Sequence, residues 1–550
     1  MSLLSRILAR RMRLVAPRTL EIVCRRDLAV EMDDGVILLA DRWAARDEDE
    51  SGSARPTVLV RSPYGRRQFT GLLLGRMLAE RGLQVVIQSV RGTFGSGGDF
   101  SPFDERADGL ATLRWLRRQP WHAGPIGTIG PSYLGLVQWA LAADAGDDLA
   151  AMSVHVSASQ FHGQIYPEGS LSLETSISWV VLVAGQERRL APLAIGRALR
   201  ALPAVIAELP VSDLDERATG APLAWFREAF GRAGRDDPYW VRRDYSVTVP
   251  QVAAPVQFVG GWYDILLPWM LEDYAALRAA GHEPQLLIGP WTHTAPGLIA
   301  AAERDGLAWL RAHLLGDDRL LRRNSVRVMV TGAGGGWRDL PAWPPAQVRE
   351  SRLHVGPGGS LTADEPPSEA GSDGYRYDPS DPTPSLGGPV LLARDAVVDN
   401  APLERRADVL VYTSPAQTAT LEAIGDVWAD LWLAASEPYF DVFARVCDVD
   451  GDGVSRNVCD ALTTVAPGRH ERTADGVWHV RMRLWPTAHR FASGHRIRLL
   501  VCSGAHPRYA RNPGTGGDVA TATADSLVAV DVTLLYGPAH PSAVVLPATA

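Results

Sequence analysis

The sequence contains no lysine: the 55 residues counted as Lys+Arg among its 550 positions are all arginine. A Schiff-base or pyridoxal-phosphate enzyme needs a lysine amine, and a Walker A loop needs a lysine after its last glycine, so both classes are excluded. A codon bias toward GC-rich triplets explains the missing lysine more simply than a functional cause does.

Cysteine is almost as scarce. The four cysteines show no CxxC spacing and are too few for a disulfide framework or a thiolate zinc site, which favours a reducing, cytoplasmic environment. No apolar run approaches the roughly 18 residues of a membrane span. The net charge of -8 argues against the basic face that nucleic acid requires. We therefore expect neither a membrane nor a nucleic acid as a partner.

The remaining composition is that of a soluble globular protein, with 46% hydrophobic and 21% charged residues. At about 150 residues per domain, the length predicts three or four domains. The first fourteen residues carry four arginines and no acidic residue. They predict a docked amphipathic helix, with a targeting or membrane-surface segment as the alternative, because arginines interrupt the apolar stretch too early for a secretory signal.

Apolar strands alternate with helical patterns along the first 345 residues. After a predicted hairpin turn at 33–35, the runs PTVLV, LQVVIQSV and IGTIG are separated by helical stretches, and the alternation resumes at PVQFVGGWYD and QLLIGPWTH. Continuous apolar strands of this kind belong to a parallel sheet covered by helices on both faces. Long helical stretches between about 145 and 245 interrupt the alternation, which predicts a helical cap.

The last third of the chain has a different pattern. Residues 351–388 are crowded with Gly, Pro, Ser and Asp, which predicts a long linker or surface excursion. Beyond residue 407, short alternating segments with turn signals predict an all-β sandwich. The fold class is therefore α/β. The predicted domains are a first α/β part at 22–144, the cap at 145–245, a second α/β part at 246–345, and the C-terminal domain with its linker at 346–550.

Ser132 lies in GTIGPSYLG, between a short apolar strand and a helix. A serine at such a turn is lifted above the carboxyl edge of the sheet, and the helix behind it offers backbone N–H groups to an oxyanion. The motif departs from GxSxG because Leu134 stands where the second glycine would be and Gly135 follows it. A helix N-cap serine would explain Ser132 almost equally well.

A nucleophilic serine needs a histidine base and an orienting carboxylate, which follow in the order Ser, Asp, His in this type of sheet. Asp264 closes the predicted strand VQFVGGWYD, and His293 follows QLLIGPW 29 residues later. Each taken alone is explained by a strand-end turn or a surface loop. Together, three strand-end residues in the required order predict a catalytic triad.

The motifs RSPYG, VRGTFGSGGDF, GPSYLG, GGWYD and GPWTH together resemble the cocaine-esterase-like (CocE/NonD) hydrolases, which are related to the Xaa-Pro dipeptidyl peptidases and the α-amino-acid ester hydrolases. The resemblance spans nearly the whole chain from about Val23. It implies an α/β-hydrolase fold with a helical cap and a C-terminal jelly roll. It also implies that Ser132 is the nucleophile, His293 the general base and acid, and Asp264 the residue that orients the imidazole.

The same resemblance implies an oxyanion hole formed by the hydroxyl of Tyr64 and the backbone amide of Tyr133. A phenol suits this role because its O–H points at the developing alkoxide without reorganisation, and the loss of one such donor costs about 3 kcal/mol. The alternative for Tyr64 is a turn tyrosine packed on the sheet.

The resemblance further places Trp179 in an acyl pocket with Leu266 on the sheet side, and Ile165 and Tyr166 precede the same cap helix. Packing within a helical core would explain each of these residues equally well.

Other motifs are assigned structural roles. Asp236 and Asp237 lie roughly where related enzymes hold a substrate ammonium, but helix capping is the simpler account and is favoured. Arg91 is expected to organise its glycine-rich loop by pairing with a carboxylate or carbonyl, since the loop lacks the context of a dinucleotide site. Residues 448–453 imitate the start of an EF-hand, yet Cys459 replaces the final glutamate, so a hairpin turn is predicted.

The sequence therefore predicts a serine hydrolase, without metal or cofactor, that cleaves a small-molecule ester or amide through an acyl-enzyme. An ester is favoured because an alkoxide leaving group needs less protonation than an amine. Three alternatives stay open: an Xaa-Pro dipeptidyl peptidase, an amide-forming or acyl-transfer enzyme with the same triad, and a non-catalytic carbohydrate-binding protein. A homo-oligomer is compatible with all of them.

Overall fold

Ten strands among residues 2–340 form the sheet that carries the predicted chemistry. The computed structural model describes residues 2–363, 365–392 and 395–549. The strands are β1 Ile22–Glu31, β2 Ile37–Ala45, β3 Arg55–Ser62, β4 Gln84–Ser89, β5 His122–Pro131, β6 Leu149–His155, β7 Val256–Tyr263, β8 Gln285–Thr292, β9 Val326–Gly332 and β10 Gly336–Leu340.

The strands are paired in the order β1-β2-β4-β3-β5-β6-β7-β8-β9-β10. The pairs from β4 through β9 are parallel, and the pairs at both edges are antiparallel. All residues of β4 and β7 are buried, as expected for strands that helices cover on both faces. The carboxyl ends of β5, β7 and β8 consequently meet at one edge of the sheet.

The described helices lie on both faces of this sheet and in one long insertion, except for the last one, Ala401–Glu404, which belongs to the C-terminal part of the chain. They are α1 Ser2–Arg11, α2 Arg46–Ser51, α3 Gln68–Thr70, α4 Arg106–Arg117, α5 Tyr133–Ala145, α6 His162–Ile165, α7 Leu173–Gly185, α8 Ala191–Ile206, α9 Leu214–Thr219, α10 Ala224–Phe230, α11 Pro238–Val241, α12 Leu267–Ala279, α13 Pro296–Leu315 and α14 Ala401–Glu404. A π-helical segment, Gly71–Met77, continues α3. Short 3₁₀ turns lie at Gly146–Asp148, Pro167–Gly169, Val211–Asp213, Ser246–Gln251, Pro357–Gly359 and Ala524–Ser526.

The insertion between β6 and β7 carries α6 to α11. Strand β6 itself lies inside the 145–245 stretch that the sequence predicted to be helical. A seven-residue apolar run cannot be assigned to strand or helix by periodicity alone, and here pairing with β5 and β7 makes it a central strand. The predicted division of the chain into domains otherwise stays a prediction.

A second group of strands forms the C-terminal β domain. They are β11 Val348–Gly356, β12 Ser360–Thr362, β13 Gly371–Tyr377, β14 Leu410–Thr413, β15 Leu421–Gly425, β16 Trp428–Ala435, β17 Phe440–Val449, β18 Ser455–Val465, β19 Glu471–Arg472, β20 Trp478–Arg483, β21 Thr487–Phe491, β22 Arg496–Cys502, β23 Val530–Tyr536 and β24 Ala543–Thr549. Their pairing is antiparallel except between β12 and β14. Strand β21 also pairs in parallel with β9, which joins this domain to the first sheet.

The prediction that residues 351–388 form a linker is wrong. Strands β11, β12 and β13 fall in or next to this segment, and β11 pairs with β24 while β13 pairs with β23. Pro357, Gly358 and Gly359 occupy the turn between β11 and β12, whereas Gly371 and Gly374 lie within β13 itself. The partner strands β23 and β24 lie at the far end of the chain. No local pattern within residues 351–388 therefore predicts the pairing.

Three smaller predictions concern turns and the N-terminus. A hairpin joins β1 to β2 with Gly35 at φ +80, and another joins β17 to β18, where Asp450 accepts the backbone N–H groups of Asp452 and Val454. Both predicted turns are confirmed. Helix α1 docks on the protein, with the Ser5 hydroxyl donating to Glu80 at 2.8 Å. Among the described residues, no helix combines the length and apolar character needed to cross a bilayer.

Candidate active site

Ser132 occupies a strained turn between β5 and α5, with φ 56 and ψ -126. Its backbone N–H donates to the carbonyl of His155 at 2.9 Å, and its own carbonyl accepts from the Ser157 hydroxyl at 2.6 Å. These two hydrogen bonds, to the last residue of β6 and to the segment that follows it, therefore hold the turn in place. A non-glycine residue with positive φ at a strand-to-helix turn is the conformation of a nucleophile elbow.

The spacing of glycines around Ser132 follows from close contacts. A Cβ on Gly130 would lie 2.4 Å from the Cβ of Leu134, and a Cβ on Gly135 would lie 2.3 Å from the Cβ of Ser157. The turn therefore requires glycine at 130 and 135, whereas Leu134 has room for a buried side chain. This explains the departure from GxSxG.

His293 and Asp264 form a buried pair at the same edge of the sheet. The Nδ1 atom of His293 lies 2.5 Å from Oδ2 of Asp264, and Oδ1 of Asp264 accepts the backbone N–H of Leu266 at 2.9 Å. The carboxylate thus has partners on both oxygens. The indole N–H of Trp485 donates to the backbone carbonyl of Asp264 at 3.0 Å, so the C-terminal domain braces this turn.

Tyr64 lies at the end of β3, facing the elbow. Its hydroxyl accepts the indole N–H of Trp179 at 2.9 Å, and Tyr64 lines the same cavity as Ser132. Burial raises the pKa of Tyr64 to about 12, so the phenol keeps its proton at neutral pH. With the lone pair of its oxygen engaged by Trp179, the phenol proton is available to an acceptor beside Ser132.

Tyr133 is the first residue of α5, and its backbone N–H has no acceptor within the helix. Its side chain is anchored away from the elbow: the hydroxyl donates to Glu105 at 2.7 Å and accepts the backbone N–H of Phe103 at 2.8 Å. The backbone amide, rather than the phenol, is therefore the group that can meet an oxyanion.

Two cavities border Ser132. The larger, of about 440 Å³, is also lined by Tyr64 and His293, and its walls come from α3, the π-helical segment and α13. The smaller, of about 30 Å³, is lined by Trp179, Ile165 and Leu266. Its other walls are mostly apolar, with a few polar residues: Phe103, Phe161, Phe230, Ile265, Leu391, Gln164, Thr175 and Ser176. Of the four residues placed in a substrate pocket by resemblance, Trp179, Ile165 and Leu266 border the small cavity.

Tyr166 borders neither cavity among the lining residues that the structure describes. Its hydroxyl donates to the carbonyl of Phe230 at 2.6 Å and ties α6 to α10. Asp237 accepts the backbone N–H of Tyr239 at 2.8 Å as the N-cap of α11 and pairs with Arg232, and the exposed Asp236 precedes it. Neither aspartate borders a cavity next to Ser132.

Sequence patterns missed two residues near the site. Glu303 of α13 is 5% exposed and lines the larger cavity, and burial raises its pKa to about 7. Its segment, AAERDG, has the composition of an exposed helix. Trp485 was missed because its partner, Asp264, lies 221 residues earlier. Arg91 pairs with Asp108 and Asp34, which confirms its predicted structural role.

The strand order and the serine elbow after β5 define an α/β-hydrolase-like fold, here joined to a C-terminal β domain. Two family models match: X-Pro dipeptidyl-peptidase (S15 family) over residues 34–295, and the X-Pro dipeptidyl-peptidase C-terminal non-catalytic domain over residues 321–545. The chain is 30% identical to a cocaine esterase from Rhodococcus sp. (strain MB1 Bresler), over 95% of this chain and 98% of that one.

Solved structures agree on the fold. An α-amino acid ester hydrolase aligns with a TM-score of 0.81 at 20% identity, covering 97% of this chain and 98% of that one. An aminopeptidase from a marine sediment archaeon, Thaumarchaeota archaeon, aligns with a TM-score of 0.79 at 21% identity, covering 96% and 97%. The chain belongs to the cocaine-esterase-like CocE/NonD hydrolases of the S15 group and is a serine hydrolase, as predicted.

Proposed function

We propose that the protein hydrolyses small-molecule esters in the cytoplasm through an acyl-enzyme on Ser132. His293 takes the Ser132 proton and passes it to the leaving alkoxide, and Asp264 holds the imidazole in the required tautomer. The Tyr64 hydroxyl and the Tyr133 backbone amide stabilise the oxyanion. The insertion that carries α6 to α11 acts as the cap, and the C-terminal domain, a jelly roll in this proposal, braces Asp264 through Trp485.

One observation carries this proposal. Ser132 and His293 line a single cavity, and the far nitrogen of that histidine lies 2.5 Å from a buried carboxylate. Such an arrangement lets an imidazole accept a proton from a hydroxyl and stabilises the resulting cation.

The S15 match supports a dipeptidyl peptidase as the second candidate. That activity needs an anchor for a substrate N-terminal ammonium on the acyl side. Of the two carboxylates placed there by resemblance, Asp237 caps a helix elsewhere and Asp236 precedes it, and the acyl side in this proposal is mostly apolar. An ester is therefore favoured over an Xaa-Pro amide.

The test is a panel of nitrophenyl esters and an Ala-Pro nitroanilide, with Ser132→Ala and the exposed-serine control Ser436→Ala. We expect ester turnover and fluorophosphonate labelling in the wild type and in Ser436→Ala, and neither in Ser132→Ala. Equal turnover by Ser132→Ala would overturn the mechanism. Faster cleavage of the Ala-Pro amide than of any ester would favour the peptidase.

A further inference from the structure

A third cavity, of about 530 Å³, is separate from the two that border Ser132. Its walls come from the segment after α1, from α13, from the loop that precedes β9, and from single residues of β7, β8, β9 and β10. Of the described residues that line it, none belongs to the candidate triad. Its volume is in the range of sites that hold small organic ligands.

Positive charge dominates this cavity. Four of its described lining residues are arginines, Arg13, Arg304, Arg322 and Arg327, and Asp305 is the only acidic one among them. The whole chain carries a net charge of -8, so the excess of positive charge is local. A concentration of guanidinium groups around a cavity attracts an anion.

The carboxylates of the protein neutralise these arginines only loosely. Arg304 and Arg322 share Asp305 at 3.4 and 3.6 Å, and Arg327 lies 3.7 Å from Asp339. Strong charge-assisted hydrogen bonds are shorter, at about 2.7 to 2.9 Å. Arg304 and Arg327 therefore keep N–H groups for a further acceptor.

The other two arginines contribute in different ways. Arg13 is exposed, and among the described residues it has neither an ion pair nor a side-chain hydrogen bond. Arg322 donates to the carbonyl of Asn324, but its buried Nε and Nη2 atoms have no hydrogen-bond partner in the described part of the chain. These two nitrogens lie below the cavity surface, so Arg322 acts through its charge. Burial lowers the pKa of Arg322, Asp305 opposes this, and the charge of Arg327 lowers it further, so an anion nearby would relieve the repulsion.

The rest of the wall is mainly apolar. Leu14, Leu287, Leu307 and Leu321 line it, and so does Trp337, over which the Arg327 guanidinium lies with its Cζ 5.4 Å from the ring centroid. A bare inorganic ion would leave these side chains in contact with water. An anion with an apolar body would cover them, which is favourable.

Hydrogen bonds hold the walls of the cavity together. The Gln257 side chain of β7 donates to the backbone carbonyl of Asp305 at 3.3 Å and accepts from the Ser153 hydroxyl at 2.9 Å, which ties α13 to β6 and β7. The Gln285 side chain of β8 donates to the backbone carbonyl of Arg322 at 2.9 Å, which ties the loop before β9 to the sheet. The arginines and the apolar walls are therefore positioned before a ligand arrives, and preorganisation favours binding.

We propose that this cavity binds an organic anion with an apolar body. The carboxylate or phosphate head meets Arg13, Arg304 and Arg327, and the body covers Trp337 and the leucines of the wall. A fatty acid and an alkyl phosphate are the two sources of this chemistry. The site is independent of the proposed esterase function, because no residue of the candidate triad lines it.

Isothermal titration calorimetry of the full chain carrying Ser132→Ala measures binding without turnover. The ligands are octanoate and octyl phosphate, compared with octanol, which lacks the charge, and with inorganic phosphate, which lacks the apolar body. We expect both complete ligands to bind at least about tenfold more tightly than either partial one, because charged hydrogen bonds and burial of the alkyl chain each contribute that much. Tighter binding of octyl phosphate supports a phosphate ligand, and tighter binding of octanoate supports a fatty acid. Equal binding of octanol overturns the anion site, and equal binding of inorganic phosphate overturns the apolar part.

Two substitutions locate the ligand. Arg13→Gln and Arg327→Gln change side chains that are partly in water, so the fold should survive, and thermal unfolding checks this. Each should weaken binding of octyl phosphate about fivefold, the upper range for one exposed charge, and the double substitution should weaken it more. Arg323→Gln, an exposed neighbour that is not among the lining residues, is the matched control and should leave binding unchanged. Unchanged binding in the double variant places the ligand elsewhere and overturns the proposal.

A second measurement needs no variant. Phenylglyoxal modifies accessible guanidinium groups, and peptide mass spectrometry gives the rate at each arginine. Saturating octyl phosphate should slow the modification of Arg13, Arg304 and Arg327 severalfold and leave Arg323 unaffected. Equal rates at these three arginines with and without the ligand overturn the assigned position.

Discussion

Replacing Tyr64 with phenylalanine tests the oxyanion hole with the smallest change in shape. The phenol is half-buried, accepts from Trp179 at 2.9 Å and lines the same cavity as Ser132. Removing one oxyanion donor costs about 3 kcal/mol of transition-state stabilisation, or roughly 100-fold in kcat. We expect KM to change little, because the ground-state carbonyl gains less from this donor than the alkoxide does.

The same substitution also affects stability. It leaves the indole N–H of the half-buried Trp179 without its acceptor, which should cost about 1 kcal/mol, the low end of the penalty for an unsatisfied donor. Since burial raises the pKa of Tyr64 to about 12, the phenol is protonated throughout an assay between pH 6 and 9, and the loss in kcat should not vary with pH in this range.

The assay is steady-state hydrolysis of an acetate ester, together with thermal unfolding of the same samples. Tyr375→Phe is the matched control: this buried tyrosine of the C-terminal domain has its hydroxyl 2.8 Å from Ser503, far from the site along the chain. It should lower stability slightly and leave kcat unchanged. A kcat within twofold of the wild type for Tyr64→Phe would refute its role as an oxyanion donor.

Two further predictions concern stability. The pKa of Glu303 is raised by burial from the ordinary 4.5 to about 7, so its ionisation destabilises the fold as pH rises between these values. Glu303→Gln should therefore raise the free energy of unfolding by about 3 kcal/mol at pH 8 and change it little at pH 4. Urea unfolding at the two pH values measures both effects. An equal change at pH 4 and pH 8 would contradict the raised pKa of Glu303. Gly135→Ala should destabilise the protein by more than about 3 kcal/mol, because the added Cβ would overlap Ser157. Gly196→Ala is the control: this position on α8 faces open space, so the substitution should stabilise the protein by up to about 1 kcal/mol. Equal melting temperatures for the two variants would contradict this prediction.

Much of the fold could be predicted because its signals are local. The apolar runs of β3, β4, β7 and β8 and most strong C-terminal strands follow from residue type and periodicity alone. The common position of Ser132, Asp264 and His293 at one edge could be predicted because each follows a recognisable strand, and parallel strands bring their carboxyl ends to one edge.

What could not be predicted depends on partners distant in sequence. Strand β11 exists because β24 pairs with it, and the Tyr64–Trp179 contact joins residues 115 apart. Tyr166 has the aromatic character of a pocket residue, but its hydroxyl is used by Phe230.

The amino-acid sequence by itself determined that the chain is a serine hydrolase with one mainly parallel and one antiparallel sheet. It also determined that the candidate catalytic residues follow in the order Ser, Asp, His. These signals are local, because residue type and spacing act within a few neighbouring positions. Only the tertiary structure decided that Glu303 is buried in a cavity, that His293 borders one side of Ser132, and that Trp485 supports Asp264. These features arise from packing between elements that are far apart in the chain, where burial and desolvation depend on what each side chain meets.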